Sequence, residues 1–256
     1  MRRATIHVVD PAHDDFGTTS QHVTERVVDA TYPYEHPLWW RVLSALFYYV
    51  ILPLPAWVIG RVYGLRIVNR SALRRAGGCF VYANHTHWVD VIIPYLLAFP
   101  KRAFLVTGPV AVSVPVVRRI VPLAGGVPLN TTVAGKARFR DALERAVARG
   151  HTVTVFPEAH EWPYYNGIRD FSPHSFTYPV RAGRPVVAAV VTYRARRLFT
   201  SRPPHLTVTL SEPVWPGEWA GTADPKTVLR DKARGFMVDT VRERGSAEWV
   251  RYEIGS

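Results

Sequence analysis

The heptapeptide N-H-T-H-W-V-D occupies residues 84–90 and separates two apolar runs, at residues 79–83 and 91–93. A short apolar run that ends in polar residues is typical of a buried strand. On a continuous helix, positions five apart are rotated by roughly 140° and do not face each other. His85 and Asp90 can therefore meet only if His85 lies in a loop and Asp90 lies in the first turn of the next helix, where a carboxylate is favourable.

A histidine whose Nδ1–H is held by a carboxylate can accept a proton at Nε2. We therefore predict that His85 is a catalytic general base and that Asp90 orients its ring and stabilises its charged form. The alternative for His85 is a helix-capping or packed histidine, and for Asp90 a carboxylate that only stabilises a helix N-terminus. His87, three residues before Asp90, is the weaker candidate for the base.

The heptapeptide resembles the N-H-x4-D block of the glycerolipid acyltransferases of the lysophosphatidic acid acyltransferase type. Three more blocks follow in the order that this family shows. They are G-G-V-P-L at residues 125–129, similar to G-G-I-P-V, then F-P-E at residues 156–158, similar to F-P-E-G, and an apolar strand with a leading proline at residues 184–190. The H-x4-D pattern alone is weak, whereas four ordered blocks are a fairly specific signal.

The resemblance implies an O-acyltransferase that moves a fatty acyl group from a thioester to a hydroxyl of a lysophospholipid or related lipid, without a cofactor. The thioester donor would be acyl-CoA or acyl carrier protein. No serine or cysteine lies in a nucleophile elbow, so direct transfer is favoured over an acyl-enzyme, and backbone N–H groups of the His85 loop or the F-P-E turn are expected to stabilise the oxyanion. The predicted substrate-binding residues are Gly126, Asn130, Thr131, Phe156, Pro157, Glu158 and Arg169.

The blocks depart from the family where the family carries positive charge. Asn130-Thr131 replaces the usual Asp-Arg, Ala159-His160-Glu161 replaces Gly-Thr-Arg, and Thr107 replaces a common Lys. A site that holds phosphate favours Arg forks or Lys ammonium groups. We therefore expect weaker use of lysophosphatidic acid than is usual for the family, and a preference for an acceptor with less negative charge.

Other residues are candidates to rebuild the recognition of the acceptor. Arg169 and Arg181 are candidate replacement phosphate ligands, and so are three basic residues at 136, 138 and 140, although a solvated helix face is the more natural interpretation of these three. The aromatic residues within the range 162–165 are predicted either to line a lipid or sugar pocket or to form an aromatic core.

The composition of the chain limits the classes of partner that it can bind. The 256 residues carry a net charge of +12, mostly from arginine, and 48% are hydrophobic, so the chain is not disordered. A basic surface suits nucleic acid or an anionic membrane, but no nucleic-acid-binding motif is present. Cys79 is the only cysteine, which excludes an intrachain disulfide and agrees with a reducing compartment. No ligand spacing indicates a metal site.

The most apolar segment covers residues 38–60, with Arg41 and Arg61 near its ends and no charge between them. Its length and flanking tryptophans suit a membrane-associating segment. Because Pro53 and Pro55 are expected to break a continuous helix, we predict a bent helical hairpin in one leaflet. A true membrane span and a buried core helix are the alternatives. The expected location is the cytoplasmic face of the cell membrane, monotopic or peripheral.

Apolar runs and amphipathic stretches then alternate to the C-terminus, which predicts an α/β fold with a layered mixed sheet flanked by helices. We divide the chain into an N-terminal arm without a secretory signal (residues 1–36), the membrane-associating segment (residues 37–61) and an acyltransferase domain (residues 62–256). The sequence leaves the oligomeric state open. Two other functions remain open, a thioester hydrolase and a non-catalytic basic membrane-surface protein.

Overall fold

The computed structural model describes residues 4–11, 14–16, 27–114, 117–196, 202–245 and 247–254. They form a seven-stranded sheet in the order β2-β8-β7-β3-β6-β4-β5 and a two-stranded sheet of β1 and β9. The strands are β1 (Ala4–Val8), β2 (Arg66–Val68), β3 (Cys79–Ala83), β4 (Ala103–Thr107), β5 (Gly126–Pro128), β6 (Thr152–Val155), β7 (Val186–Arg194), β8 (His205–Leu210) and β9 (Val250–Ile254).

Two helices precede the strands of the large sheet in the sequence, and other helices pack on both faces of the sheet. They are α1 (Leu38–Leu46), α2 (Pro53–Val62), α3 (Ser71–Ala76), α4 (Ile93–Ala98), α5 (Val117–Ala124), α6 (Val133–Ala148), α7 (Thr177–Ala182) and α8 (Pro225–Arg244). The side chains of α3 and α4 pack in one core cluster and those of α6 and α8 in another. The predicted layered α/β fold is therefore confirmed.

Strands β3, β6, β4 and β5 run parallel, and β7 runs parallel to β3, whereas β8 is antiparallel to β7, so the sheet is mixed. The central strands are buried on both faces, which explains the apolar runs of β3 and of the first six residues of β7, and the β-branched residues of β6. Tyr82 of β3 is paired with Val155 of β6. The loop after β3, with the H-x4-D block, and the loop after β6, with the F-P-E block, therefore meet at one edge of the sheet.

The apolar N-terminal segment is one helical path of 25 residues, Leu38–Val62, and the predicted hairpin is wrong. A π-helical turn at Phe47–Ile51 joins α1 to α2, and Pro53 lies in the first turn of α2. A proline is tolerated there because the N–H that it lacks needs no partner in the first turn. The helix is long and apolar enough to cross a membrane, and only 17% of its most apolar stretch is buried against the rest of the protein.

The N-terminal arm contains regular structure that its sequence does not signal. β1 pairs in parallel with β9 at the other end of the chain, from Ala4 opposite Val250 to Val8 opposite Ile254. Neither strand has a strong alternating pattern, and each depends on the other for its hydrogen bonds. The division into arm, apolar segment and α/β domain stays a prediction.

Candidate active site

His85 and Asp90 form a direct pair at the carboxyl end of β3. His85 lies in the loop after the strand, and Asp90 lies in a 3-10 helical turn, Trp88–Val91, that precedes α4. The Nδ1 atom of His85 is 3.1 Å from Oδ2 of Asp90. The same oxygen accepts the backbone N–H groups of Thr86 at 2.7 Å and His87 at 2.8 Å. Asp90 thus holds both the loop and the ring, and Nε2 of His85 is the nitrogen left for a substrate.

The surroundings of His85 favour its protonated form. Burial on its own lowers the pKa of His85, but the hydrogen bond to Asp90 and the charges of Asp90, Glu161 and Glu158 outweigh burial, so the pKa is raised above its usual value. The ring stacks on Phe156 with centroids 4.3 Å apart. The imidazole is therefore fixed in orientation and poised to take up a proton.

His87 has a different role from His85. Its Nδ1 accepts the backbone N–H of Val89 at 3.0 Å, so Nε2 must carry the hydrogen and lies 3.0 Å from the hydroxyl of Tyr164. Burial lowers the pKa of His87, although the charge of Asp90 opposes this effect. His87 is thus a neutral cap of the 3-10 turn with both nitrogens engaged, which favours His85 as the base.

The carboxylate of Glu158 binds the backbone of the His85 loop. Its Oε2 accepts the backbone N–H of His85 at 3.3 Å and lies 3.2 Å from Nη2 of Arg169, while its Oε1 accepts the backbone N–H of Arg169 at 3.0 Å. Burial raises the pKa of Glu158, and Arg169 opposes that shift. Both side chains are buried. Arg169 also donates to the carbonyl of His160 and lies over the ring of Trp162, so its contacts are those of an internal ion pair and not of an open phosphate clamp.

Trp162, in the aromatic stretch after the F-P-E block, lies in an aromatic core and does not line an open pocket. Trp162 is fully buried, and its indole N–H donates to the carbonyl of Asp14 at 2.9 Å. Tyr252 of β9 stacks on it with centroids 5.2 Å apart, and Phe16 packs on its edge. Segments from both ends of the chain thus cover this loop. The sequence of the arm carries no signal for this contact, because it pairs residues far apart in the chain.

Several predicted substrate-binding residues lie apart from His85. Thr131 donates its backbone N–H and its hydroxyl to the carbonyl of Val28, and Asn130 donates to the carbonyl of Asp29. These contacts tie the arm to the start of α6. Gly126 begins the edge strand β5, which is three strands away from β3, the strand that leads to His85. The structure does bring Phe156, Pro157, Glu158 and Arg169 to the His85 loop.

Two of the other candidates for the phosphate clamp, Arg138 and Arg181, have local partners. Arg181 lies 3.6 Å from Glu144, Arg138 donates to the carbonyl of Ala30, and Lys136 is exposed on α6.

The backbone N–H groups expected to stabilise an oxyanion are largely engaged. Those of residues 85–87 donate to Glu158 and Asp90. In the next loop, Ala159 and His160 donate to backbone carbonyls of their own turn, Glu161 donates to Asp15, and Trp162 donates to the carbonyl of His85. These groups stiffen the two loops, so they do not form a ready oxyanion site.

Comparisons with known proteins agree with this arrangement. A family model described as Acyltransferase matches residues 64–192, half of the chain. The structure is similar to the crystal structure of the 1-acyl-sn-glycerophosphate (LPA) acyltransferase PlsC from Thermotoga maritima, with a TM-score of 0.53 and 15% sequence identity, over 82% of this chain and 96% of that chain. No curated protein matches the sequence. The matched region contains β3, β6 and the loops that hold His85, Asp90 and Glu158.

Proposed function

The chain belongs to the acyltransferase family, and on that premise we propose that it is a membrane-associated O-acyltransferase. It transfers a fatty acyl group from an acyl-CoA or acyl carrier protein thioester to a hydroxyl of a lysophospholipid or related lipid. The observation that carries this proposal is the buried Asp90 carboxylate 3.1 Å from Nδ1 of His85. The catalytic residues are His85 and Asp90, and no cofactor takes part.

The reaction follows from the position of Nε2 of His85. As the acceptor hydroxyl attacks the thioester carbonyl carbon, its proton moves to Nε2 and a new C–O bond forms. Asp90 stabilises the imidazolium that results. The tetrahedral intermediate then collapses with loss of the C–S bond, and the imidazolium returns the proton to the leaving thiolate. Glu158 is a positioning residue, because its oxygens hold the backbone of His85 and the side chain of Arg169.

An apolar surface lies beside the proposed catalytic loop. Trp88 and Val91 of the 3-10 turn are about half-exposed, and the ring of Trp88 packs on the edge of Tyr63, just after α2. The exposed side of the helix Leu38–Val62 is almost entirely apolar. An apolar surface of this extent marks a membrane or partner site. We propose that the helix lies in the membrane and that the lipid acceptor reaches His85 from that side. The net charge of +12 suits the anionic cytoplasmic leaflet.

The double substitution Val50→Lys/Leu54→Lys should abolish binding to phosphatidylcholine vesicles, measured by flotation. Both side chains are 68% exposed on the apolar helix. A lysine that must enter the hydrocarbon core costs about 2.5–3.5 kcal/mol. The control is Val9→Lys/Val133→Lys, which adds the same charge at positions 89% and 87% exposed elsewhere. Equal binding of the two double variants, or a full-length protein that never floats with vesicles, would contradict membrane association through this helix.

The electrostatics of the site support an acceptor with little negative charge. Glu161 influences the pKa of His85 and, together with Asp90 and Asp15, adds negative charge around the base. Thr131 is bound to the arm, and Arg169 is paired with Glu158. A phosphate monoester near Glu161 meets like-charge repulsion that partial burial strengthens. We propose that a zwitterionic or uncharged lysolipid is used in preference to lysophosphatidic acid.

The rate ratio between lysophosphatidic acid and lysophosphatidylcholine is therefore expected to be below one, and to rise in Glu161→Gln. The substitution removes the negative charge and keeps the size of the side chain. Glu243→Gln, an exposed position on α8, is the matched control and should leave the ratio unchanged. Initial rates on the two acceptors measure the ratio. A strong preference for lysophosphatidic acid that is lost in Arg169→Ala or Arg181→Ala would establish a relocated phosphate clamp instead.

A further inference from the structure

A cavity of about 520 Å³ lies along the edge strand β5 and the starts of β4 and β6, away from His85. It is bounded by residues 32–36, the apolar helix from Trp40 to Tyr49, the start of β4, the whole of β5 and the C-terminal half of α6. His151 and Arg102, which precede β6 and β4, line it, whereas His85 follows the far end of β3. Because Cys79 of β3 pairs with Thr152 of β6, the rise of a strand separates His85 from His151 by roughly 15–20 Å. The cavity is thus distinct from the proposed catalytic site.

The charge of this cavity is strongly positive. Four arginines and two histidines line it, and Glu35 is the one acid among the described residues that do so. Glu35 is exposed and lies 3.1 Å from Arg145. Within the described part of the chain no ion pair joins a carboxylate to the other three arginines, Arg41, Arg102 and Arg149. Such a concentration of unpaired cations in a concave site attracts an anion.

Two buried nitrogens of residues that line the cavity lack partners among the described residues. Nε of Arg102 and Nδ1 of His151 are buried and make no hydrogen bond among the described residues. Burial lowers the pKa of His151, and the charges of Arg102, Arg149 and Lys101 lower it further. The lowered pKa reports positive charge that no carboxylate among the described residues offsets at His151, and this charge would stabilise an anion bound in the cavity. The ligand must carry oxygen acceptors and negative charge.

We propose that this cavity binds the phosphate group of a glycerophosphate, from an anionic phospholipid headgroup or from a soluble phosphate ester. Guanidinium forks match phosphate oxygens, and four arginines line this cavity. The volume exceeds that of a phosphate alone and leaves room for the glycerol unit. Trp40, Arg41 and Tyr49 of the apolar helix contribute to the wall, while its other side is exposed and apolar. A lipid in the same leaflet can therefore place its headgroup in the cavity.

The test removes charge at Arg41 and Arg149 together. Both are exposed at the cavity and outside the ion pairs of the described residues, so Arg41→Gln/Arg149→Gln should keep the fold. The control Arg66→Gln/Arg74→Gln removes the same charge on β2 and α3, at the opposite edge of the sheet. One arm measures flotation with phosphatidylcholine vesicles with and without phosphatidylglycerol. The other measures binding of glycerol 3-phosphate by calorimetry.

The cavity variant should lose at least about tenfold in affinity, because it loses the charge-assisted hydrogen bonds of two guanidinium groups, while the control keeps the parent affinity. A loss confined to the phosphatidylglycerol arm identifies a lipid headgroup, and a loss for glycerol 3-phosphate as well identifies a soluble ester as a ligand. Equal losses in both double variants, or no loss in the cavity variant, would overturn the proposal. Since acyl transfer depends on His85, its rate in detergent should be the same in both variants, so this site and the proposed reaction can fail separately.

Discussion

Replacing His85 with alanine is expected to reduce acyl transfer by about 10²–10⁴-fold, the usual contribution of a general base. The fold should persist, because the contacts of the ring among the described residues, the hydrogen bond to Asp90 and the stacking on Phe156, lie in the loops at the carboxyl end of the sheet. Without an imidazole, the acceptor hydroxyl must lose its proton to water as it attacks. The measurement is the consumption of an acyl thioester by the purified protein, with and without a lysolipid acceptor.

The design of this experiment separates the three functions that the sequence leaves open. Release of thiol only in the presence of acceptor indicates an acyltransferase, and equal release without acceptor indicates a hydrolase. No release under any condition indicates a non-catalytic protein. His174→Ala is the matched control, since His174 is exposed and outside the two catalytic loops. Transfer by His85→Ala at the parent rate would refute the mechanism proposed above.

The second large effect is expected for Asp90→Asn, which should reduce transfer by about 10²-fold or more through loss of the charge that stabilises the imidazolium. Oδ2 of Asp90 accepts all three hydrogen bonds, while Oδ1 is buried without a partner among the described residues. An asparagine can therefore keep those three bonds with its oxygen and place its NH₂ where Oδ1 was. The unsatisfied amide costs about 1–3 kcal/mol of stability, so the variant should fold and isolates the effect of charge.

The pH profile distinguishes this electrostatic role from a structural one. A general base works in its neutral form, and the pKa of His85 is raised. As the pH is lowered, the rate of the parent protein should therefore begin to fall at a pH above about 6.5, the ordinary pKa of histidine. Asp90→Asn removes the nearest negative charge and leaves the burial that lowers the pKa. The acid limb should therefore move to lower pH while the maximal rate decreases. A decrease in rate with an unmoved limb would mean that Asp90 only maintains the loop.

Much of the fold was predictable because its signals are local. The strands β3 and β7 are mainly apolar runs, β6 consists of β-branched residues, and α6 and α8 end close to where their patterns end. The apolar helix shows the limit of a local rule. Pro53 was expected to break it, but the π-helical turn at Phe47–Ile51 places that proline in the first turn of α2, where its missing N–H has no cost.

The sequence alone determined the layered fold, the family, and the requirement that His85 and Asp90 lie close together. The signals for these features, which are burial, periodicity and a five-residue spacing, each lie within one or two elements. Only the tertiary structure decided that Glu158 pairs with Arg169, that Trp162 lies beneath both ends of the chain, and that basic groups from distant segments meet in one cavity. These contacts join residues separated by long loops. Their existence depends on how the elements pack, since no local preference of the backbone specifies which distant side chain fills a buried donor or acceptor.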